Sequence, residues 1–222
     1  MAEIISNYTT LVSAVVNTQE DDSTEFRAFI PTAIGLAEDR MTREMDSQVL
    51  LVTTTVSATN GNRFVDKPSG YRVGHEVLFK KANGDRKVLR KRTRSYCEYY
   101  WPYEASGGTP VYYADANVSA FLLAPTPDGN SQLVVTHEAQ PTKITAAVST
   151  NVFTNFYPDA LYFATMSEVA KFSKQWSQVQ LWDTRYMEAI QAVNNEGRRS
   201  RRDSTEPLSN PQKVNNTFSG EN

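Results

Sequence analysis

Side chains suited to covalent or metal chemistry are scarce in this sequence. It holds one cysteine, Cys97, and two histidines, His75 and His137. A single cysteine excludes an internal disulfide framework and a cysteine-rich zinc site. No stretch approaches 18 uninterrupted apolar residues, so no membrane-spanning helix is expected. The start, Met-Ala-Glu-Ile, lacks a basic segment followed by an apolar run, and no signal peptide is read there. Asn7, Asn117 and Asn215 head Asn-X-Ser/Thr triplets, which without such a signal are read as coincidental. A strong excess of positive charge is also missing: the net charge is −2, which argues against a generic nucleic-acid binder. What is present, 222 residues of which 40% are hydrophobic, suffices for one or two domains with a real core. The expectation is a soluble, intracellularly made protein without catalysis.

The near-zero total conceals local asymmetry. Lys80, Lys81, Arg86, Lys87, Arg90, Lys91, Arg92 and Arg94 are opposed within their run only by Asp85. A second basic knot comprises Arg198, Arg199, Arg201 and Arg202. Acid gathers at Glu20, Asp21, Asp22 and Glu25, and again at Glu38, Asp39, Glu44 and Asp46. Separated patches of opposite sign can set register against neighbouring proteins, although a run of charge is also what any solvated face carries.

Hydrophobic spacing divides the chain. Ile4, Tyr8, Leu11, Val12 and Val15 recur at three- and four-residue steps, predicting a first helix that breaks at Asn17 and Thr18. Asp22 and Glu25 have capping-box spacing for a second helix, whose buried face would be Phe26, Ile30, Ala33, Ile34, Ala37, Met41 and Met45. Pro31 predicts a kink, or a short helix ending near Ile30 with the proline opening a longer one. From Val49 the pattern turns β-branched, and strands are expected at 49–56, 71–74, 76–79, 96–103, 111–113, 120–123, 132–136 and 144–148. Asn83-Gly84-Asp85 is the clearest hairpin signal. Helical period returns after Pro158 with Leu161, Thr165, Val169 and Phe172, then with Trp176, Val179, Trp182, Tyr186, Ile190 and Val193, and Gly197 reads as a stop.

The implied class is α+β. A four-helix bundle made of residues 1–46 and 152–196 is interrupted by an antiparallel sandwich or barrel-like insertion, 47–151. Residues 197–222 have few apolar side chains: Leu208, Val214 and Phe218. Burying each returns about 1.5–3 kcal/mol, while ordering each backbone residue costs about 1–2 kcal/mol. The segment therefore reads as an extended arm that orders on a partner.

Several colinear segments resemble the head-to-tail adaptor (connector) proteins of short-tailed bacteriophages. They are residues 26–45 (FRAFIPTAIGLAEDRMTREM), 96–102 (YCEYYWP), 123–127 (LAPTP), 157–164 (YPDALYFA) and 182–190 (WDTRYMEAI). The resemblance implies a virion protein, made in the host cytoplasm, that forms a homo-oligomeric ring of about twelve copies beneath the portal. It also implies a channel through which genomic DNA passes without sequence-specific binding, and docking of a tail nozzle or tail-tube protein. No catalytic, cofactor or metal residues accompany the resemblance, and no cofactor or membrane partner is expected. The arm would reach the portal, with Arg198, Arg199, Arg201 and Arg202 meeting carboxylates and Leu208 and Phe218 acting as apolar pegs.

The basic run, read as a hairpin over 80–94, has no counterpart in that likeness. It suits a protein interface or a charge-protected strand edge. The alternative is a nucleic-acid-binding module in which Tyr96, Tyr99, Tyr100 and Trp101 stack beside it. Trp176, Trp182 and Tyr186 are expected mainly in the core, with some free to serve a ring interface. Cys97 with His137 as a nucleophile–base pair is disfavoured, since both fall in expected strands and no glycine-rich turn adjoins the thiol.

Overall fold

A computed structural model describes residues 5–46 and 48–202, with only the backbone for residues 200–202. Helix α1 (Tyr8–Gln19) starts from Asn7, whose side chain accepts from Thr10 N. It ends where Glu20 enters the left-handed region at φ 52°. The next helix, α2 (Thr24–Glu44), is capped by Ser23, which accepts from Phe26 N; Asp22 instead pairs with Arg27. Pro31 lies inside this single 21-residue helix and neither ends nor opens one. Pro31 and Arg27 are both exposed, so the Arg27 carbonyl that loses its donor is on the side open to water.

After a 3₁₀ turn (Gln48–Leu50) the chain enters a block of β structure: β1 (Leu51–Ala58), β2 (Phe64–Asp66), β3 (Tyr71–Lys80), β4 (Arg86–Val88) and β5 (Arg90–Lys91). Helix α3 (Arg94–Tyr100) intervenes before β6 (Gly107–Gly108), β7 (Tyr112–Asp115), β8 (Ala120–Ala124), β9 (Thr126–Pro127) and β10 (Ser131–Ala139). One sheet has the order β1-β10-β3-β4 and is antiparallel throughout. The other runs β2-β8-β7-β5; its β5–β7 pairing is parallel, as is the small β6–β9 pair. The inward faces meet over Val77, Phe79, Phe121, Leu123, Leu133 and Val135. On β8 the alternate residues Leu122 and Ala124 turn the other way, onto Cys97 of α3. Both faces of β8 are thus covered, which is why it reads as an unbroken apolar run.

Two expected strands are absent as such. Residues 94–100 form α3, with Thr93 accepting from Tyr96 N and Arg94 bonded to Glu98 one turn on. Residues 144–148 form no strand: Ile144 drops its side chain into the helical core, and Thr145 and Val148 close a turn.

The chain returns through α4 (Val152–Phe156), α5 (Pro158–Phe172) and α6 (Trp176–Arg202). Leu11 and Val15 of α1, Phe26 to Met41 of α2, Leu161 and Val169 of α5, and Tyr186, Ile190 and Val193 of α6 share one core. Gly197 does not stop α6. It continues the buried 186–190–193 stripe by one turn and is itself buried, where a side chain would add bulk. The first six residues assigned to an extended arm, 197–202, are accordingly helical; 203–222 lie outside the described residues.

Candidate functional site

The basic run does not form one hairpin. Lys80 to Val88 does: Asn83 caps its own turn by accepting from Asp85 N, Gly84 adopts φ 93°, and Lys81 N donates to Asp85 O at 2.9 Å. At Leu89 the strand changes sheets. Leu89 N still donates to Val77 O of the first sheet, whereas Arg90 N and Arg92 N donate to Val111 O and Tyr113 O of the second. The Leu89 side chain is buried between the two sheets and pins the crossing.

This crossing splits the cations into two groups. Lys80, Lys81, Arg86 and Lys87 stay on the hairpin, and none has an ion-pair partner among the described residues. Lys91 pairs with Asp115 at 2.7 Å, and Lys67 reaches the other oxygen of that carboxylate at 2.8 Å. Burial pushes against ionisation of Asp115, but the two lysines outweigh it and hold its carboxyl below the usual range. Arg94 is occupied by Glu98 at 2.8 Å.

Beside this second group lies an aromatic platform. Tyr96 and Tyr100, one helical turn apart on α3, have near-parallel rings with centroids 6.2 Å apart. Both meet Tyr112 of β7 edge-on, at 5.3 and 4.9 Å. The Arg92 guanidinium lies 5.7 Å from both the Tyr96 and Tyr112 rings, within cation–π reach. Tyr99 is 88% exposed and Tyr103 is 77% exposed. Nothing local in the sequence marks Tyr112, which joins the cluster only because β7 packs against α3.

The remaining candidates disperse. Cys97 is buried against Ala114, Leu122 and Ala124, and burial pushes its thiol up. His137 is buried against the Tyr71 ring with Nδ1 3.3 Å from Val135 O, so the two side chains occupy different surroundings. His75 Nε2 lies 3.0 Å from Glu138 across neighbouring strands. Of the α6 aromatics, Tyr186 is core, Trp182 is half-buried and Trp176 is 69% exposed. Arg198 and Arg199 are exposed on α6, Arg201 and Arg202 end it, and Leu208 and Phe218 lie outside the described residues.

The second acidic cluster is only partly a surface patch, since Glu44 and Asp46 are exposed. Glu38 is buried on α2, its Oε1 accepting from Ile144 N at 3.1 Å and from Asn151 Nδ2 at 2.6 Å. Burial pushes its carboxyl up to about 7, against those two hydrogen bonds and Lys143. Asp39 is paired with Lys143 at 2.7 Å, and Glu44 with Arg40 at 3.3 Å. No helix of the described residues is long and apolar enough to cross a membrane.

A family model described as SU10 adaptor protein matches residues 6–211. No match is found among curated proteins.

Proposed function

This chain belongs to the SU10 adaptor protein family, a family of phage head–tail adaptors, and on that premise we propose that it forms a ring of about twelve copies between portal and tail. Membership implies a place in the virion, among portal and tail proteins, and suggests a structural role. In the proposed assembly the ring extends the DNA channel and offers a platform to a tail nozzle or tail-tube protein. Genomic DNA slides through without sequence-specific contact. The working unit is a four-helix bundle, residues 1–46 and 152–196, interrupted by a sandwich-like insertion, 47–151. The portal-binding arm is residues 197–222: Arg198, Arg199, Arg201 and Arg202, on the last turns of α6, meet portal carboxylates, and Leu208 and Phe218 serve as pegs.

The observation that carries this reading is the colinear family match, which takes in both helical segments, the β block and residues beyond α6. Exposed Trp176 on α6 and Tyr99 and Tyr103 beside α3 support it, because aromatic side chains of this kind anchor protein interfaces. The basic hairpin, whose Lys80, Lys81, Arg86 and Lys87 have no ion-pair partner among the described residues, and the neighbouring Arg90, Lys91, Arg92 and Arg94 are assigned to protein contacts. Electron microscopy of the purified protein with and without portal is the test. Twelvefold rings that form on portal addition, and are lost when residues 197–222 are deleted, are expected. No portal binding, together with salt-dependent binding of the isolated protein to duplex DNA, would overturn it in favour of a nucleic-acid module.

A further inference from the structure

The sheet β1-β10-β3-β4 brings one row of side chains into register: Ser57 opposite Gln132, Gln132 opposite Lys80, and Lys80 opposite Arg86. Directly opposed residues share a face of the sheet. Phe79 and Leu133, next in sequence to Lys80 and Gln132, are buried between the two sheets, so this row is on the outer face. Lys80 and Arg86 are therefore two cations directly opposed on adjacent strands, which destabilises a sheet unless an anion lies close. Neither of them, nor Lys81 or Lys87 beside them, has an ion-pair partner among the described residues. Asp85, the one acid of the hairpin, is turned into its own loop, where Oδ2 accepts from Asn83 Nδ2 at 2.7 Å.

The row borders an open depression of about 560 Å³, lined by Ser57, Thr59, Lys80, Lys81, Asn130 and Gln132. Its volume is that of a ligand-binding cleft, and none of its lining residues is acidic. Hydroxyls, amides and two ammonium groups can all donate hydrogen bonds, so the chemistry that fits is a surface carrying carboxylates. The same sequence holds such a surface. Glu20, Asp21, Asp22 and Glu25 are all exposed where α1 passes into α2. Asp22 pairs with Arg27, whereas Glu20, Asp21 and Glu25 have no ion-pair partner among the described residues.

We propose that the depression and its cationic row receive the acidic α1–α2 turn of a second copy of this chain. The turn is an exposed, negative link between two helices, and the depression is concave and positive, so charge and form are complementary. Within one chain the two do not serve each other: no ion pair among the described residues joins them. The turn is about 30 Å along α2 from the end that leads into the β block, and the depression is at the far end of β1, about 26 Å along that strand. A contact between two different surfaces of identical chains is head-to-tail, and repeated through a rotation that closes it makes a ring. The assignment thus rests on the ring proposed above and names the surfaces that join its copies.

The test assembles full-length protein on portal from equal amounts of unlabelled and heavy-nitrogen-labelled chains. A carbodiimide then joins carboxylates to amines in direct contact, adding no spacer. Mass spectrometry is expected to find mixed-isotope links from Lys80 or Lys81 to Glu20, Asp21, Asp22 or Glu25. Lys80→Glu with Lys81→Glu, or Glu20→Lys with Glu25→Lys, should each lower the yield of rings at least about tenfold, because like charges then face each other. Mixing the two variants, or placing all four substitutions in one chain, should restore the yield, which also shows that each variant folds. Wild-type rings without these mixed-isotope links, rings that tolerate both reversals, or losses that neither combination restores would overturn the proposal and leave the ring reading standing. So would links from the two lysines to portal carboxylates, which give the depression another occupant. Absence of any ring with portal would overturn both.

Discussion

Glu38 makes this protein's stability fall as pH rises through neutrality. The residue is 3% exposed, and Oε2 has no hydrogen-bond partner among the described residues. Desolvation raises it from 4.5 to about 7 in spite of donors at Ile144 N and Asn151 Nδ2 and the nearby Lys143, with Asp39 adding to the rise. The folded state therefore binds a proton that the unfolded chain has released over that interval. The stabilising contribution is complete below about 4.5 and is lost as pH climbs through about 7. At about 1.4 kcal/mol per pH unit, the loss totals about 3 kcal/mol. Glu38→Gln keeps an acceptor for both donors and never ionises. Urea unfolding of the two proteins from pH 5 to pH 8.5 should give similar stabilities at the acid end and a more stable variant, by about 2–3 kcal/mol, at the alkaline end. Asp39 and Lys143 are present in both proteins, so their titration largely cancels in the difference. A difference that stays flat with pH, or a wild type that gains on the variant as pH rises, would refute the argument.

Asn151→Ala removes both a cap, to Phe153 N and Thr154 N, and a donor to Glu38; it should cost about 2 kcal/mol in urea unfolding, with Asn151→Ser recovering roughly half. Gly84→Ala should cost about 1 kcal/mol, because φ is 93° although no neighbouring atom obstructs a Cβ; Gly129→Ala, equally unobstructed but without positive φ, should stay within about 0.5 kcal/mol by the same measurement. Leu133→Ala, at a fully buried position between the two sheets, should lower stability by about 2–5 kcal/mol, read as a fall in the urea midpoint with little change in slope.

Helical period was the dependable signal. The 30–34–37–41 spacing on α2 and 186–190–193 on α6 chose the buried face correctly, because burying an apolar stripe decides where a helix packs. The same spacing places Glu38 on that face, between Ile34 and Met41. Reading it as one of a run of acids hid this, although its position on the helical wheel was available. Residues 96–103 read as a strand because tyrosine and tryptophan favour strands, whereas 94–100 are helical. Their helix rests on the Thr93 cap, the Arg94–Glu98 pair and the burial of Cys97 against β8, and of these only the first two are visible locally. The sheet crossing at Leu89 was not legible: eight cations within fifteen residues look like one patch, and a single buried leucine divides them. Charge runs tell where charge is, while its pairing is set by tertiary neighbours.

Those neighbours also redefine the polarity of the molecule. The last two turns of α2 hold the chain both as it leaves for the β block and as it returns. Thr42 O accepts from Arg72 of β3 at 2.5 Å, Asp39 takes Lys143 and Gln140, and Glu38 takes Ile144 N and Asn151. Asn194 of α6 closes the same end by donating to Glu44 O and accepting from Asp46 N. Of this acidic group Glu38 is thus spent inside the fold and Asp39 is paired at its margin, while Glu20, Asp21, Asp22 and Glu25 form an exposed acidic turn. That turn lies at the start of the 21-residue α2, about 30 Å from the helix end that leads into the β block.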